Sequence, residues 1–159
     1  MKPATNGAIP ILTKLLRDED PRVSFNAAVA LGLMGPAAED TIPILTKMLR
    51  DENPRLRFNA AMALGSMGLA AQDAIPALTE LLRDKTSTVR GAAAYALGSM
   101  GPAAKDAIPI LSELLDDKDE VVREEATYAL AKIKPEQTRK KTFRPAPGKS
   151  ARPHTTSGK

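Results

Sequence analysis

The chain has 159 residues, 43% apolar and 26% charged, with 3% aromatic residues, no cysteine, no tryptophan, one histidine and a net charge of +4. These values exclude a disulfide framework, a thiolate nucleophile and a zinc–thiolate site, and any triad or histidine-rich metal site would have to be built around His154 alone. So few aromatics suit Ala/Leu-rich helices; with no apolar run near the ~20 residues that span a bilayer and no secretion-signal core at the start, a cytoplasmic setting is expected.

Ile-Pro recurs at Ile9-Pro10, Ile42-Pro43, Ile75-Pro76 and Ile108-Pro109, each 33 residues after the last. A fixed period of this size is the mark of stacked supersecondary units, and four copies run from about Ile9 to Lys134. Each copy opens on a helix. In copy one, Ile9, Leu12, Leu15 and Leu16 share a face at three- and four-residue spacing, and the proline falls in the opening turn, where a missing N–H costs little. Asp40, Asp73 and Asp106, two residues before the Ile of the later copies, are expected to cap that helix. A second helix is expected after Asp20, Asn53, Thr86 and Asp119, with Pro21 and Pro54 at its first position. Its core face in copy one is Val23, Ala27, Ala30, Leu31 and Met34. Gly35-Pro36, Gly68 and Gly101-Pro102 should end it with a left-handed glycine and, in two cases, a breaker. One such hairpin cannot bury its own apolar face, so the copies must stack.

The pattern IPxLxxLLxDxxPxVRxxAAxALGxMG resembles the HEAT-like repeats named after phycobilisome lyases, over about four-fifths of the chain. The resemblance implies an all-α fold, an α-solenoid of four helical-hairpin repeats starting near residues 9, 42, 75 and 108 within residues 1–134. It also implies that second helices line the concave surface. Function is implied less sharply, since such repeats serve lyases, hydroxylases, glycosylases and plain scaffolds.

A candidate binding stripe lies opposite the core face of the second helix. With Val23 at zero and 100° per residue, Arg22, Phe25, Val29 and Leu33 fall at about 200–280°. Their equivalents include Arg55, Phe58 and Met62 in copy two, Tyr95 in copy three and Tyr128 in copy four. Four of the five aromatic residues occupy this stripe, so Arg22, Phe25, Val29, Arg55, Phe58, Met62, Tyr95 and Tyr128 are the expected partner-binding residues. The competing reading is that these side chains pack sideways as ordinary core. A second constellation reads as structural: Asp18, Asp51, Asp84 and Asp117 end the first helices, and Arg57, Arg90 and Arg123 sit one turn into the second. Their fixed register predicts a ladder of ion pairs and capping bonds, broken in copy one by Ser24. Asp116, Asp117, Glu120, Glu124 and Glu125 give copy four the polar face an end repeat needs.

Residues 135–159 have a different composition. They hold seven Lys or Arg against one Glu, a net charge of +6 that leaves −2 on residues 1–134. Rich in Pro, Gly and Ser, this tail is expected to be disordered on its own. Arg139, Lys140, Lys141, Arg144, Lys149 and Arg152, with Phe143 as an anchor, suit an anionic partner such as RNA, a ribosome or an acidic protein.

The leading expectation is a non-catalytic scaffold or assembly subunit, with no cofactor, no metal and no catalytic residues. Its partner would be another protein or a larger complex rather than a second copy of itself. Two alternatives stand beside it: a phycobilin lyase-like chromophore chaperone, implied by the resemblance, and RNA or ribosome association through the tail. A hydroxylase-like metal site is set aside because residues 1–134 contain no histidine.

Overall fold

The computed structural model describes residues 7–134. It contains eight α-helices in chain order: α1 Ala8–Leu15, α2 Pro21–Met34, α3 Ile42–Met48, α4 Pro54–Met67, α5 Ile75–Leu81, α6 Ser87–Met100, α7 Ile108–Glu113 and α8 Glu120–Ile133. Odd-numbered helices are the short first helices of the repeats, and even-numbered ones are the 14-residue second helices. Residues 35–41, 68–74 and 101–107 add a 3₁₀ segment between repeats, an element the sequence reading did not anticipate. The basic tail and its seven candidate residues lie outside the described residues.

Second helices begin largely as expected. Asp20 and Asn53 accept hydrogen bonds from the backbone N–H of Arg22 and Arg55 at 2.8 and 2.9 Å, and Asp119 accepts from Val121 at 3.0 Å. Thr86 is a correction, because its side chain makes no cap bond. Asp40, Asp73 and Asp106 are a second one. They lie exposed within the 3₁₀ segments, and α3, α5 and α7 start without side-chain caps. The 3₁₀ turn runs into the helix through residues already in the right-handed region, such as Thr41 at φ −86°, ψ −15°. No extended N-cap residue is left from which a side chain could fold back.

The glycines ending the second helices do have positive φ, but with ψ near −130° rather than the left-handed helical value. Gly35 lies at φ 50°, ψ −126° and Gly101 at φ 63°, ψ −142°. A Cβ is not tolerated there. This kink also divides the stretch 21–48, which by length and composition is apolar enough to cross a bilayer despite the expectation that no run approached that length. In the fold it is two helices and a 3₁₀ segment, and α2 alone rises about 21 Å against a ~30 Å hydrocarbon core.

Stacking occurs through the second helices. α2, α4, α6 and α8 pack on one another along their length, while successive first helices barely approach each other. A layer packed tightly on one side and loosely on the other must curve, so the second-helix side is concave. The close approach rests on a glycine not singled out in the sequence. A Cβ on Gly65 would lie 2.8 Å from Ala96 Cα, and one on Gly98 would lie 2.9 Å from Ala129 Cα. In α4 the expected core positions Leu56, Ala60, Ala63, Leu64 and Met67 are all buried. In α2, Val23, Ala30 and Met34 are only half-buried, because the first repeat has a neighbour on one side.

The Asp/Arg register forms a ladder between repeats. Arg57 Nε and Nη2 donate to the two carboxylate oxygens of Asp84 at 2.8 and 3.1 Å, and its Nη1 donates to the Asp51 and Glu52 carbonyls. Arg90 repeats this on Asp117 at 2.8 and 2.8 Å, while Arg123 donates to the Asp117 carbonyl at 2.7 Å. Both side chains of each pair are below 10% exposed. Asp117 is therefore part of the ladder and not of the solvent face expected of copy four. Ser24 leaves the equivalent carbonyls in repeat one without an arginine, and Arg55 reaches back from α4 to supply it. Its Nη1 donates to Glu19 O at 2.8 Å and its Nη2 to Asp18 O at 3.0 Å. On the outer side, exposed pairs Arg50–Glu80 and Arg83–Glu113 bridge the wider gap between first helices.

Two glycines of α6 should respond oppositely to alanine. Gly98→Ala must push two backbones apart and should cost about 1–3 kcal/mol, while Gly91→Ala meets only Glu125 Cγ at 3.9 Å and should gain about 0.5–1 kcal/mol; urea unfolding midpoints measure both. The ladder sets the acid limb of stability. Hydrogen bonding from Arg90 holds the Asp117 carboxyl below its ordinary value, and for Asp84 the raising effect of burial is outweighed by its bonds to Arg57 and Thr86. A carboxyl depressed in the folded state stabilises fully above its unfolded value, about pH 4, and loses that stability as pH falls through the folded value. Asp117→Asn should cost about 3 kcal/mol at neutral pH and flatten the loss below pH 4, as read from denaturation curves at successive pH values.

Candidate functional site

The 33-residue register assigns each inner-face position to a column across α2, α4, α6 and α8. One column reads Phe25, Phe58, Gly91, Glu124, and the next, one turn later, reads Val29, Met62, Tyr95, Tyr128. Aromatic rings thus occupy the first column in the first two repeats and shift by a turn in the last two. Phe25 and Phe58 stack with centroids 6.2 Å apart, and Tyr95 and Tyr128 stack at 6.1 Å. Lys132 places its ammonium 5.5 Å from the Tyr128 ring centroid, within cation–π range. None of the four rings is sealed in the interior. Phe25 and Tyr128 are 37% exposed, and Phe58 and Tyr95 are half-buried. Each ring therefore packs sideways on the neighbouring repeat and keeps a free face.

Between the two aromatic pairs the column carries glycine, and a cavity of about 440 Å³ opens there. Phe58, Met62, Gly91, Ala92 and Tyr95 line it. It shares Phe58 and Thr88 with a neighbouring cavity of about 340 Å³ that Arg55 also lines, and Tyr95 and Glu125 with one of about 330 Å³ lined also by Glu124 and Tyr128. Together they make a groove along the second helices of repeats two to four, the kind of concave apolar site with few polar groups that binds ligands.

The rim is acidic. Asp119 lines the cavity, and hydrogen bonding from Ser87 holds its carboxyl below the ordinary value. Burial, followed by the neighbouring Glu124, pushes the Glu125 carboxyl up. Among the described residues no group of three or more His, Cys, Asp or Glu side chains is placed to hold a metal ion.

Of the stripe predicted from sequence, Phe58, Met62 and Tyr95 line the main cavity and Tyr128 extends it. Phe25 and Val29 lie on the α2 end, where Phe25 buttresses Phe58. Arg22 is exposed and paired with Asp20 at 3.2 Å on its own turn. Arg55 lines the cavity beside Phe58 and Thr88 and also commits its guanidinium to the Asp18 and Glu19 carbonyls of repeat one. Sequence reasoning missed the cavity at Gly91 and the role of Glu125. The signal was present, because Gly91 stands where the two preceding repeats have phenylalanine.

No match was found among curated proteins. Among solved structures, an engineered protein superposes with a TM-score of 0.64 at 29% identity, covering 79% of this chain and 62% of that one. A designed armadillo repeat protein in complex with the peptide (KR)4 gives 0.64 at 22% identity, covering 80% and 64%. The complex of CpcE and CpcF of phycocyanin lyase from Nostoc sp. PCC7120 gives 0.57 at 20% identity, covering 78% and 98%. The chain thus spans less than two thirds of the length of the first two. HEAT repeats match residues 3–55 and 42–131, the stretch that carries the Ile-Pro period, the stacked hairpins and the inter-repeat glycines: the chain belongs to the HEAT-repeat family.

Proposed function

We propose that this protein is a non-catalytic interaction scaffold that holds a segment of a protein partner along the concave groove of α4, α6 and α8. The observation that carries this reading is the row of contiguous apolar cavities between two stacked aromatic pairs. It lies on a scaffold whose buried ladder and glycine contacts fix the spacing of the rings. Preorganised aromatic side chains with one free face lose little entropy when a partner covers them. The designed neighbour in complex with the peptide (KR)4 supports a peptide segment as the kind of partner, and the acidic rim supports a basic one. Residues 135–159 are proposed as a second contact, for an anionic surface, which would make that part of the affinity fall steeply with salt.

A second reading, chromophore handling, draws on the lyase neighbour, whose own length is almost wholly covered, and on the aromatic walls of the main cavity. Absorbance changes on incubation with a bilin would separate it from the scaffold reading.

Tyr95→Ala and Tyr128→Ala should each weaken the complex by about 2 kcal/mol, roughly 30-fold, with helix content unchanged by circular dichroism. Partners recovered with the wild-type chain and mapped by crosslinking should contact α4, α6 and α8. A partner that crosslinks only to the α1, α3 and α5 side, and is held equally by both variants, would overturn the scaffold reading as stated.

A further inference from the structure

The main cavity exists because of one residue. In repeats one and two the inner column is filled by Phe25 and Phe58, and in repeat four by Glu124; only repeat three leaves it vacant, at Gly91. A Cβ at Gly91 would meet nothing closer than Glu125 Cγ at 3.9 Å, so packing does not demand glycine here as it does at Gly65 and Gly98. Helix propensity argues against it, since glycine inside α6 costs about 1 kcal/mol relative to alanine. What the glycine provides is room, in a cavity of about 440 Å³ lined by Phe58, Met62 and Tyr95.

The chemistry of that room is specific. Its lining includes the Phe58 and Tyr95 rings, which attract a cation through the ring quadrupole, and the adaptable Met62 side chain. Glu125 opens onto it, and among the described residues its carboxylate makes no hydrogen bond or ion pair. Several other acidic side chains of repeats two to four are engaged, Asp84 and Asp117 in the ladder, Asp119 as a cap, Glu80 and Glu113 in outer pairs, while Glu124 and Glu125 stand beside the groove. The net charge of residues 1–134 is −2, with Asp119, Glu124 and Glu125 gathered at the groove. A half-buried carboxylate without a counter-ion beside aromatic faces is complementary to a cationic side chain that brings its own apolar stem. Burial, followed by the neighbouring Glu124, raises the affinity of the Glu125 carboxyl for a proton.

Building on the scaffold reading, we infer that the Gly91 cavity is a side-chain pocket for one arginine or lysine of a basic protein segment, with Phe58 and Tyr95 sandwiching the cation and Glu125 supplying its counter-charge. Arginine suits it best, because a guanidinium stacks on rings while bonding a carboxylate in two places. The remaining groove, towards Tyr128, takes the neighbouring residues of the segment.

The test uses the full chain and an octapeptide of alternating lysine and arginine, with an octaglutamine peptide as control, titrated by calorimetry at fixed salt. Gly91→Phe restores the side chain that repeats one and two carry and should fill the pocket with the fold intact. Glu125→Gln keeps the shape and removes the charge. Each should weaken the basic peptide by roughly tenfold or more, while Glu39→Gln, an exposed acid outside the groove, should leave it unchanged. Equal affinity of the wild type and both pocket variants, or equal binding of octaglutamine, would overturn the pocket. The two readings fail separately. If a natural partner is lost with Tyr95→Ala and Tyr128→Ala but retained in full with Gly91→Phe, the scaffold stands and the cation pocket falls.

Discussion

The close approach of the second helices at Gly65 and Gly98 is the constraint on which the remaining geometry depends. Backbone-to-Cβ clearances below 3 Å leave no room for any side chain, so α4, α6 and α8 are drawn together along one side of the stack. The first helices, spaced by long exposed pairs such as Arg50–Glu80, stay apart. Curvature follows from that inequality alone. So does the closeness of inner-face side chains from successive repeats, which lets rings one repeat apart stack at about 6 Å.

Stacked repeats can slide or twist unless something fixes register, and apolar contact is too undirected to do so. The buried Arg–Asp ladder supplies direction. Each guanidinium holds its own turn through carbonyls and the next turn through a bidentate carboxylate, so displacement by one helical position would strand a buried charge. The break at Ser24 illustrates how much those carbonyls need a donor. Where the local arginine is missing, Arg55 reaches across from the adjacent repeat, so a residue of the inner-face stripe also braces the frame.

On that frame the groove is built by exception. Most of the repeat is filled by repetition of the same residues, and the inner column departs from it at Gly91, with the rings displaced one turn from Phe58 to Tyr95. An aromatic-walled vacancy results, edged by acids that the ladder does not consume. Function in repeat proteins resides in such departures, because the periodic residues are occupied in holding one copy to the next.

The sequence by itself determined the period, the helical pairs, the capping of α2, α4 and α8, the positive-φ glycines, the Asp/Arg ladder and its gap at Ser24. All of these are local or periodic, and so they are legible in residue spacing. It did not reveal the 3₁₀ segments, because their uncapped entry into α3, α5 and α7 is a matter of dihedral continuity and not of composition. The tertiary structure alone decided that Arg55 reaches back to the carbonyls of repeat one, that the Asp117 carboxylate is paired with Arg90, that the aromatic stripe divides into two stacked pairs, and that Gly91 and Glu125 share a cavity. Each of these depends on which atoms of one repeat meet the next across a gap of a few ångströms, and a one-dimensional pattern does not encode that distance.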